Sequence, residues 1–368
     1  MKPSASVIIP FRNASGTLSA CLQSILNQDL SSFEVIFIDD HSSDDGSSIV
    51  DRASRDSNSD TSIRLVQANG QGLVDALNQG ISEARSSYYI RMDADDVMEP
   101  SRLRKQVEHL ARVDISCCQV QPIGFVGAGR EAYFAWQNGV LTAKDFYVNR
   151  YVECPFQHPT LALPVKVLQD LGGYRKGPFP EDYDLFLRIM QAGLRMEKLP
   201  GALLQYRCSE DQLSYIDSRY SKSSFHDLRK FYIAADESLQ EILHLRPLVV
   251  WGASRMSRRR FEAHFPEAKP DYFVDIKPSL LAHPGDSRSA NLEETLPVEK
   301  TTRHENNSKN ARLPGSRKMK VCSPEELFQD RRNPFVLVYV NARGARPVIE
   351  LALAKNGFRA GLDYLCIG

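Results

Sequence analysis

The 368-residue sequence lacks the features that mark several large classes of protein. It carries no net charge, because Lys plus Arg and Asp plus Glu both number 46. No global field therefore draws it to nucleic acid or to a membrane surface, although a local basic patch stays open. No apolar run approaches the roughly 18 residues that a membrane-spanning helix needs. The first apolar stretch, Val7-Ile8-Ile9, is cut off by Pro10 and Arg12, so it does not read as a signal peptide. None of the seven cysteines stands in a C-x-x-C pair. That argues against a zinc-finger module, and the odd count argues against a disulfide scaffold. Together these absences predict a soluble, cytoplasmic protein with reduced thiols, with peripheral membrane contact left open. No internal repeat is visible. The composition, 42% apolar and 25% charged, is that of a globular chain, and the length suits two domains.

What is present in the first half is an alternation of strands and helices. Val7-Ile8-Ile9 reads as a buried strand. Leu18, Cys21, Leu22, Ile25 and Leu26 follow at helical spacing, with Ser15 or Thr17 as the expected cap. Glu34 to Ile38 is a second strand ending at Asp39-Asp40. A helix from Ser47 to Arg55, a strand from Ile63 to Gln67, a helix from Leu73 to Ala84 and a strand from Tyr88 to Met92 complete the series. This order predicts an α/β fold with a mostly parallel sheet covered on both faces. Ligands of such sheets bind at the carboxyl ends of the strands, where Asp39, Asp40, Asp93 and Asp95 fall. Further on, a helix is expected from Asp184 to Gly193 and a long one from Ser223 to Leu243. Leu248 to Gly252 then opens a second, smaller α/β domain, with strands at Tyr272 to Asp275 and Pro334 to Val340 and a helix from Arg346 to Lys355. The expected boundaries are 1–244 and 245–368, with a polar insertion at 279–320 that reads as disordered.

Three acidic clusters carry candidate chemistry. Asp39-Asp40-His41-Ser42-Ser43 either hydrogen-bonds a nucleoside or serves as a turn and helix cap, since Asp and Ser favour both. Asp93-Ala94-Asp95-Asp96 sets three acids in four positions. Such crowding suits a divalent cation, Mn²⁺ or Mg²⁺, which takes hard oxygen ligands together with substrate phosphates; a solvated acidic turn is the alternative. Glu181-Asp182 is either a helix first turn, where acids are favoured, or a general base facing a cleft. Taken together, the clusters describe transfer from a nucleotide-activated donor, with an ion at the departing diphosphate and a carboxylate deprotonating the incoming hydroxyl.

At these residues the chain resembles the family 2 glycosyltransferases of the GT-A fold. The matching pieces are Val7 to Asn13, Ser24 to Gln28, Asp39 to Asp44, Met92 to Asp96, Gly172-Gly173-Tyr174, and Glu181-Asp182 with Arg188, in family order over roughly Ser4 to Arg207. The resemblance implies an inverting transferase that uses a UDP- or GDP-linked sugar. It places Pro10, Asp39, Asp40, Asp93 and His158 at the donor, with Asp40 at the base, Asp93 near the ribose and His158 toward the diphosphate or metal. It makes Asp95, with Asp93, the metal site. Asp182 becomes the catalytic base, with Glu181 beside it. The Gln-x-x-Arg-Trp motif of the processive synthases is missing, which favours single addition to a glycan or glycoconjugate. The whole-chain layout also resembles the queuosine-tRNA galactosyltransferases, so a tRNA acceptor stays open.

The second domain carries Trp251-Gly252-Ala253-Ser254-Arg255-Met256-Ser257, a degraded dinucleotide fingerprint that keeps one glycine of three. An NAD-binding oxidoreductase is therefore a distant alternative. Arg255, Arg258, Arg259 and Arg260, and the basic residues Lys300, Arg303, Lys309, Arg312, Arg317, Lys318 and Lys320, either touch tRNA phosphates or are simply solvated.

Overall fold

The first strand, β1 (Ser6–Phe11), is buried along all six residues, and β2 (Phe33–Asp39) along all seven. Strands hidden on both faces need helices on both sides, which is why the centres of these runs, Val7-Ile8-Ile9 and Val35 to Ile38, are continuously apolar rather than alternating. The structure is a computed structural model and describes residues 3–55, 61–124, 126–209, 212–276, 320–340 and 344–368. Almost all of the expected insertion at 279–320, with its basic residues up to Lys318, lies outside the described residues.

The described chain divides into two compact units, Met1–Asp236 and Glu237–Gly368. In the first, α1 (Ser15–Leu26) follows β1, and α2 (Gly46–Arg55), β3 (Thr61–Gln67), α3 (Leu73–Glu83) and β4 (Tyr88–Arg91) follow β2. A two-residue β5 (Val97–Met98), α4 (Arg102–His109), β6 (Ile115–Gly124), α5 (Ala128–Gly139) and α6 (Ala143–Asn149) come next. The unit closes with β7 (Ala162–Pro164), α7 (Val165–Asp170), α8 (Glu181–Gln191), β8 (Met196–Cys208), α9 (Leu213–Ile216) and α10 (Lys222–Ala234). The sheet order is β3-β2-β1-β4-β7-β6-β8-β5. The first four strands are parallel, while β7 pairs antiparallel with both β4 and β6. The chain winds outward from β1 to β3 and returns to β4 on the other side of β1. That reversal opens a crevice at the carboxyl ends of β1 and β4, where Pro10-Phe11-Arg12 and Arg91-Met92-Asp93 emerge. Helix α3 lies hard against β1: a Cβ at Gly80 would sit 2.2 Å from Ile8 Cγ2.

Two local expectations fail. Neither Ser15 nor Thr17 caps α1. The Ser15 N–H donates to Asp44 Oδ2 at 2.8 Å, so the cap comes from the loop after β2. The long helix expected from Ser223 to Leu243 is two helices, α10 and α11 (Glu237–Leu245). Its apolar spacing persists across the break, with Leu228, Tyr232 and Leu239 all buried. The break falls at Ala235-Asp236, and the Asp236 carboxylate accepts from Arg150 Nη2 at 2.9 Å and from the Tyr151 hydroxyl at 2.8 Å.

The second unit continues with β9 (Leu248–Trp251), α12 (Arg255–His264), β10 (Tyr272–Val274), β11 (Val321–Cys322), α13 (Pro324–Phe328), β12 (Phe335–Val338), α14 (Ala345–Lys355) and β13 (Tyr364–Cys366). Its five strands are all parallel, in the order β11-β10-β9-β12-β13. In the turn after β9, Gly252 has φ +130°, and a Cβ there would stand 3.0 Å from the Tyr339 carbonyl oxygen. The groups a dinucleotide phosphate would use are engaged internally. Ala253 N–H donates to Asp275 Oδ2, and Ser254 Oγ caps α12 by accepting from Ser257 N–H. No helix among the described residues is long and apolar enough to cross a membrane.

Candidate active site

The crevice at β1 and β4 is the mouth of a cleft of about 1110 Å³ within the first unit. Its wall includes Pro10, Asp40, Asp93, Asp95, His158, Glu181 and Asp182. Asp39, expected at the donor with Asp40, is not on that wall. Its Oδ1 accepts from Ser42 N–H at 2.8 Å and its Oδ2 from the Ser47 hydroxyl. It folds the loop after β2 and is almost fully buried. Asp40 lines the cleft and accepts from Gly72 N–H at 2.9 and 3.1 Å, which ties the β2 end to the start of α3.

Asp93, Asp95 and Asp96 each offer a carboxylate oxygen, all within 4.8 Å of one another. Strand β5 anchors this corner by pairing antiparallel with β8, with Val97 opposite Gln205. Two arginines brace it. Arg91, only 2% exposed, reaches Asp93 Oδ1 with Nη1 at 2.5 Å. Arg207 donates its backbone N–H to Asp96 Oδ1 and its Nε to the Asp95 carbonyl, both at 2.8 Å. Burial and the neighbouring Asp93 charge push the Asp95 carboxyl up to about 6, and burial raises Asp96 well above its usual range. Asp96 Oδ2 is buried without a hydrogen-bond partner. Crowded hard oxygens that resist ionisation fit a divalent cation. Asp93 and Asp95 face the cleft, whereas Asp96, 1% exposed, stands behind them.

The second acidic pair opens α8. Glu181 is buried, and both its oxygens accept from the Tyr220 hydroxyl, at 2.8 and 2.9 Å. Arg219 Nη1 lies at 3.6 Å and His158 Nδ1 at 3.7 Å. Asp182 is half-buried, and its Oδ1 accepts the N–H of Tyr183 at 2.7 Å. Burial, then the Glu181 charge, raise its carboxyl from an ordinary 3.8 to about 7. A carboxylate tuned in this way takes up and gives back protons at neutral pH. His158 donates or accepts with Tyr174 Oη at 2.9 Å, and burial together with the Arg91 charge hold its pKa well below the usual value. It therefore meets the cleft as a neutral imidazole. The Gly172-Gly173-Tyr174 turn is pinned to α3 by Asn78, which accepts from Tyr174 N–H and donates to its carbonyl, both at 2.9 Å. Gly173 has φ +65°, and a Cβ there would meet Asn78 Oδ1 at 2.6 Å. Arg188 points away from the chemistry: its Nε and Nη2 fork onto Asp184 Oδ2, whose other oxygen takes the Tyr232 hydroxyl.

The sequence of this site has relatives. Residues 6–172 match the family described as Glycosyl transferase family 2. The putative glycosyltransferase EpsE of Bacillus subtilis is 30% identical over 229 residues, 60% of this chain and 78% of that protein. The chain belongs to glycosyltransferase family 2. The O-antigen biosynthesis glycosyltransferase WbnJ of Escherichia coli is 29% identical over 253 residues, 66% of this chain and 90% of its own. The crystal structure of Staphylococcus aureus TarS 1-349 in complex with UDP-GlcNAc shares the fold. Its TM-score is 0.51 at 17% identity, covering 72% of this chain and 73% of that one. This family 2 protein is thus a glycosyltransferase of GT-A architecture with a second, C-terminal sheet. Arg91 and Arg207 were not among the site residues read from the sequence. The available signal was an arginine inside an otherwise apolar strand, two residues before three clustered acids.

Proposed function

We propose that the chain moves a sugar from a UDP- or GDP-linked donor to a hydroxyl of a glycan or glycoconjugate by a single, inverting displacement. The observation that carries this reading is one cleft lined both by Asp182, poised near neutral pH, and by the Asp93–Asp95 corner at the switch point of the sheet. Asp40 and Pro10 receive the nucleoside, and Asp93 lies toward the ribose. Asp93 and Asp95 would hold a divalent cation, Mn²⁺ or Mg²⁺, which neutralises charge on the departing diphosphate. Asp182 removes the proton of the acceptor hydroxyl as its oxygen bonds to the anomeric carbon. The bond from that carbon to the diphosphate oxygen breaks on the opposite side, and the nucleoside diphosphate leaves with the electron pair. Glu181, held by the Tyr220 hydroxyl with Arg219 nearby, fixes the first turn of α8 and raises the basicity of Asp182. The O-antigen role named for the E. coli relative supports a saccharide acceptor. Seven free, buried cysteines support a cytoplasmic setting.

The test is a hydrolysis and transfer screen over UDP- and GDP-sugars with Mn²⁺ and with Mg²⁺. The reading expects one donor to release its nucleoside diphosphate in a metal-dependent way. No release and no nucleotide binding across the screen would overturn it. Transfer to queuosine-containing tRNA, and not to saccharides, would replace the acceptor class.

A further inference from the structure

The cleft wall changes character from one stretch of chain to another. Where β1 and β2 end it is polar, with Arg12, Asn13 and Asp40. The stretch after β8 adds large apolar and aromatic side chains, Leu213, Tyr215, Tyr220 and Phe225, among polar neighbours. Within that stretch the short helix α9 stands apart. Its four residues are Leu-Ser-Tyr-Ile, and none of them is buried. Leu213 is 45% exposed, Tyr215 58% and Ile216 67%. Leu213 and Tyr215 line the cleft, and Ile216 extends the patch beyond its wall. The other large apolar side chains exposed on the first unit, among the described residues, are Leu26, Tyr147 and Phe231, and they stand singly on α1, α6 and α10. A single exposed apolar side chain needs no explanation, but three in one turn beside a ligand cleft do. Folding does not supply one. A four-residue helix with nothing buried draws no core packing from Leu or Ile.

The patch lies on the side of the cleft where the acceptor is activated. The turn after α9 carries Tyr220, whose hydroxyl donates to both oxygens of Glu181, the residue before Asp182. At its other end α9 is tied to α5: Arg130 donates to Gln212 Oε1 and lies over the Tyr215 ring at 4.9 Å. The helix is therefore held at both ends rather than left as a loose flap. The cleft, about 1110 Å³, exceeds the roughly 300–1,000 Å³ of a pocket for one small molecule, so it has room for an acceptor beside a donor. Sugar hydroxyls call for polar partners, which Leu213 and Ile216 do not offer. An apolar body laid against them takes their exposed surface out of water.

We propose that α9 is an acceptor subsite: Leu213, Tyr215 and Ile216 receive an apolar body, an alkyl chain or an aromatic ring, joined to the sugar that carries the reacting hydroxyl. The enzyme then selects a hydrophobic glycoside over a free saccharide. This rests on the glycosyl-transfer reading above and deepens it by naming the chemistry of the acceptor.

The test is calorimetric binding of glucose, galactose, mannose and N-acetylglucosamine, and of their octyl and phenyl glycosides below the micelle concentration, to the full chain saturated with UDP or GDP. Wild type should bind at least one octyl or phenyl glycoside about 10-fold or more tightly than its parent sugar. The Leu213→Ser/Ile216→Ser double variant should cut that preference to less than about 3-fold, and Ile216→Ser alone should already lower it. Tyr215→Ser should weaken the phenyl series most. The melting temperature should hold, since no side chain of α9 is buried, and affinity for UDP or GDP should move by less than about 2-fold. A preference for octyl alone assigns an alkyl body, and for phenyl alone an aromatic one. Equal binding of sugar and glycoside by wild type, or a preference that survives the double variant, would overturn the proposal. So would an equal loss of nucleotide affinity in the variants, which would move α9 to the donor. If wild type binds neither UDP nor GDP, the donor reading falls and takes this proposal with it; nucleotide binding without glycoside preference sinks the proposal alone.

Discussion

Replacing Asp182 by Asn removes the proton acceptor while keeping the shape of the side chain and an oxygen for the Tyr183 N–H. Two consequences follow from one physical fact, the raised pKa. The first is kinetic: losing a positioned general base should lower turnover by about 10²- to 10⁴-fold. The second concerns stability. The folded carboxyl titrates near 7, against 3.8 for an ordinary aspartate. The folded state therefore binds the proton more tightly, and stability falls as pH rises from about 4 to about 7. A shift of that size corresponds to at most about 4 kcal/mol above pH 7, and solvent reaching the half-buried group reduces it to about 2 kcal/mol. Asn does not titrate. The variant should thus gain on wild type between pH 5 and pH 8.5, by about 1–2 kcal/mol. Urea unfolding at both pH values measures the gap. A Trp251→Phe background leaves Trp136 as the reporter of the first unit, since these are the chain's two tryptophans. A gap that does not change with pH would refute the raised pKa. Retained turnover in the variant would refute the role as base.

Other outcomes follow from the same geometry. Asp95→Ala should abolish the Mn²⁺-dependent part of nucleotide binding while leaving the melting temperature of the first unit nearly unchanged, and EDTA should imitate it in wild type; metal-independent binding and turnover would count against the Asp93–Asp95 site. Arg188→Met leaves Asp184 charged and buried without its fork, so it should cost about 3–5 kcal/mol of stability, measured by urea unfolding, with no specific effect on donor affinity in the protein that remains folded. Gly80→Ala places a Cβ 2.2 Å from Ile8 Cγ2. It should destabilise the first unit by about 1–3 kcal/mol, read as a lowered thermal midpoint.

Strands β1 to β4 were legible from their apolar stretches, and β2 and β4, which run directly into Asp39-Asp40 and Asp93, left the clearest trace of a strand buried on both faces. The corner at Asp93–Asp96 was legible for the same reason: three acids have no packing role directly after such a strand. Asp39 was misplaced because a strand-end carboxylate looks the same whether it faces a ligand or folds its own loop. Only the positions of Ser42 and Ser47 separate the two. The break at Asp236 left no mark in the apolar spacing; the partners of its carboxylate, Arg150 and Tyr151, lie more than 80 residues upstream. Arg91 and Arg207 were hidden in a similar way. Each sits in a strand, and its partners are fixed by the pairing of β4, β5 and β8 rather than by neighbours in sequence. Strand β7, three residues long and antiparallel to both its neighbours, carries too little pattern to announce itself.

The most direct measurement is the anomeric configuration of the sugar in the first product formed, read by proton NMR from the donor that the screen identifies. If Asp182 deprotonates the acceptor and the displacement is single, the new glycosidic bond has the configuration opposite to the donor's. Retained configuration would require a covalent or same-face route and would contradict the account.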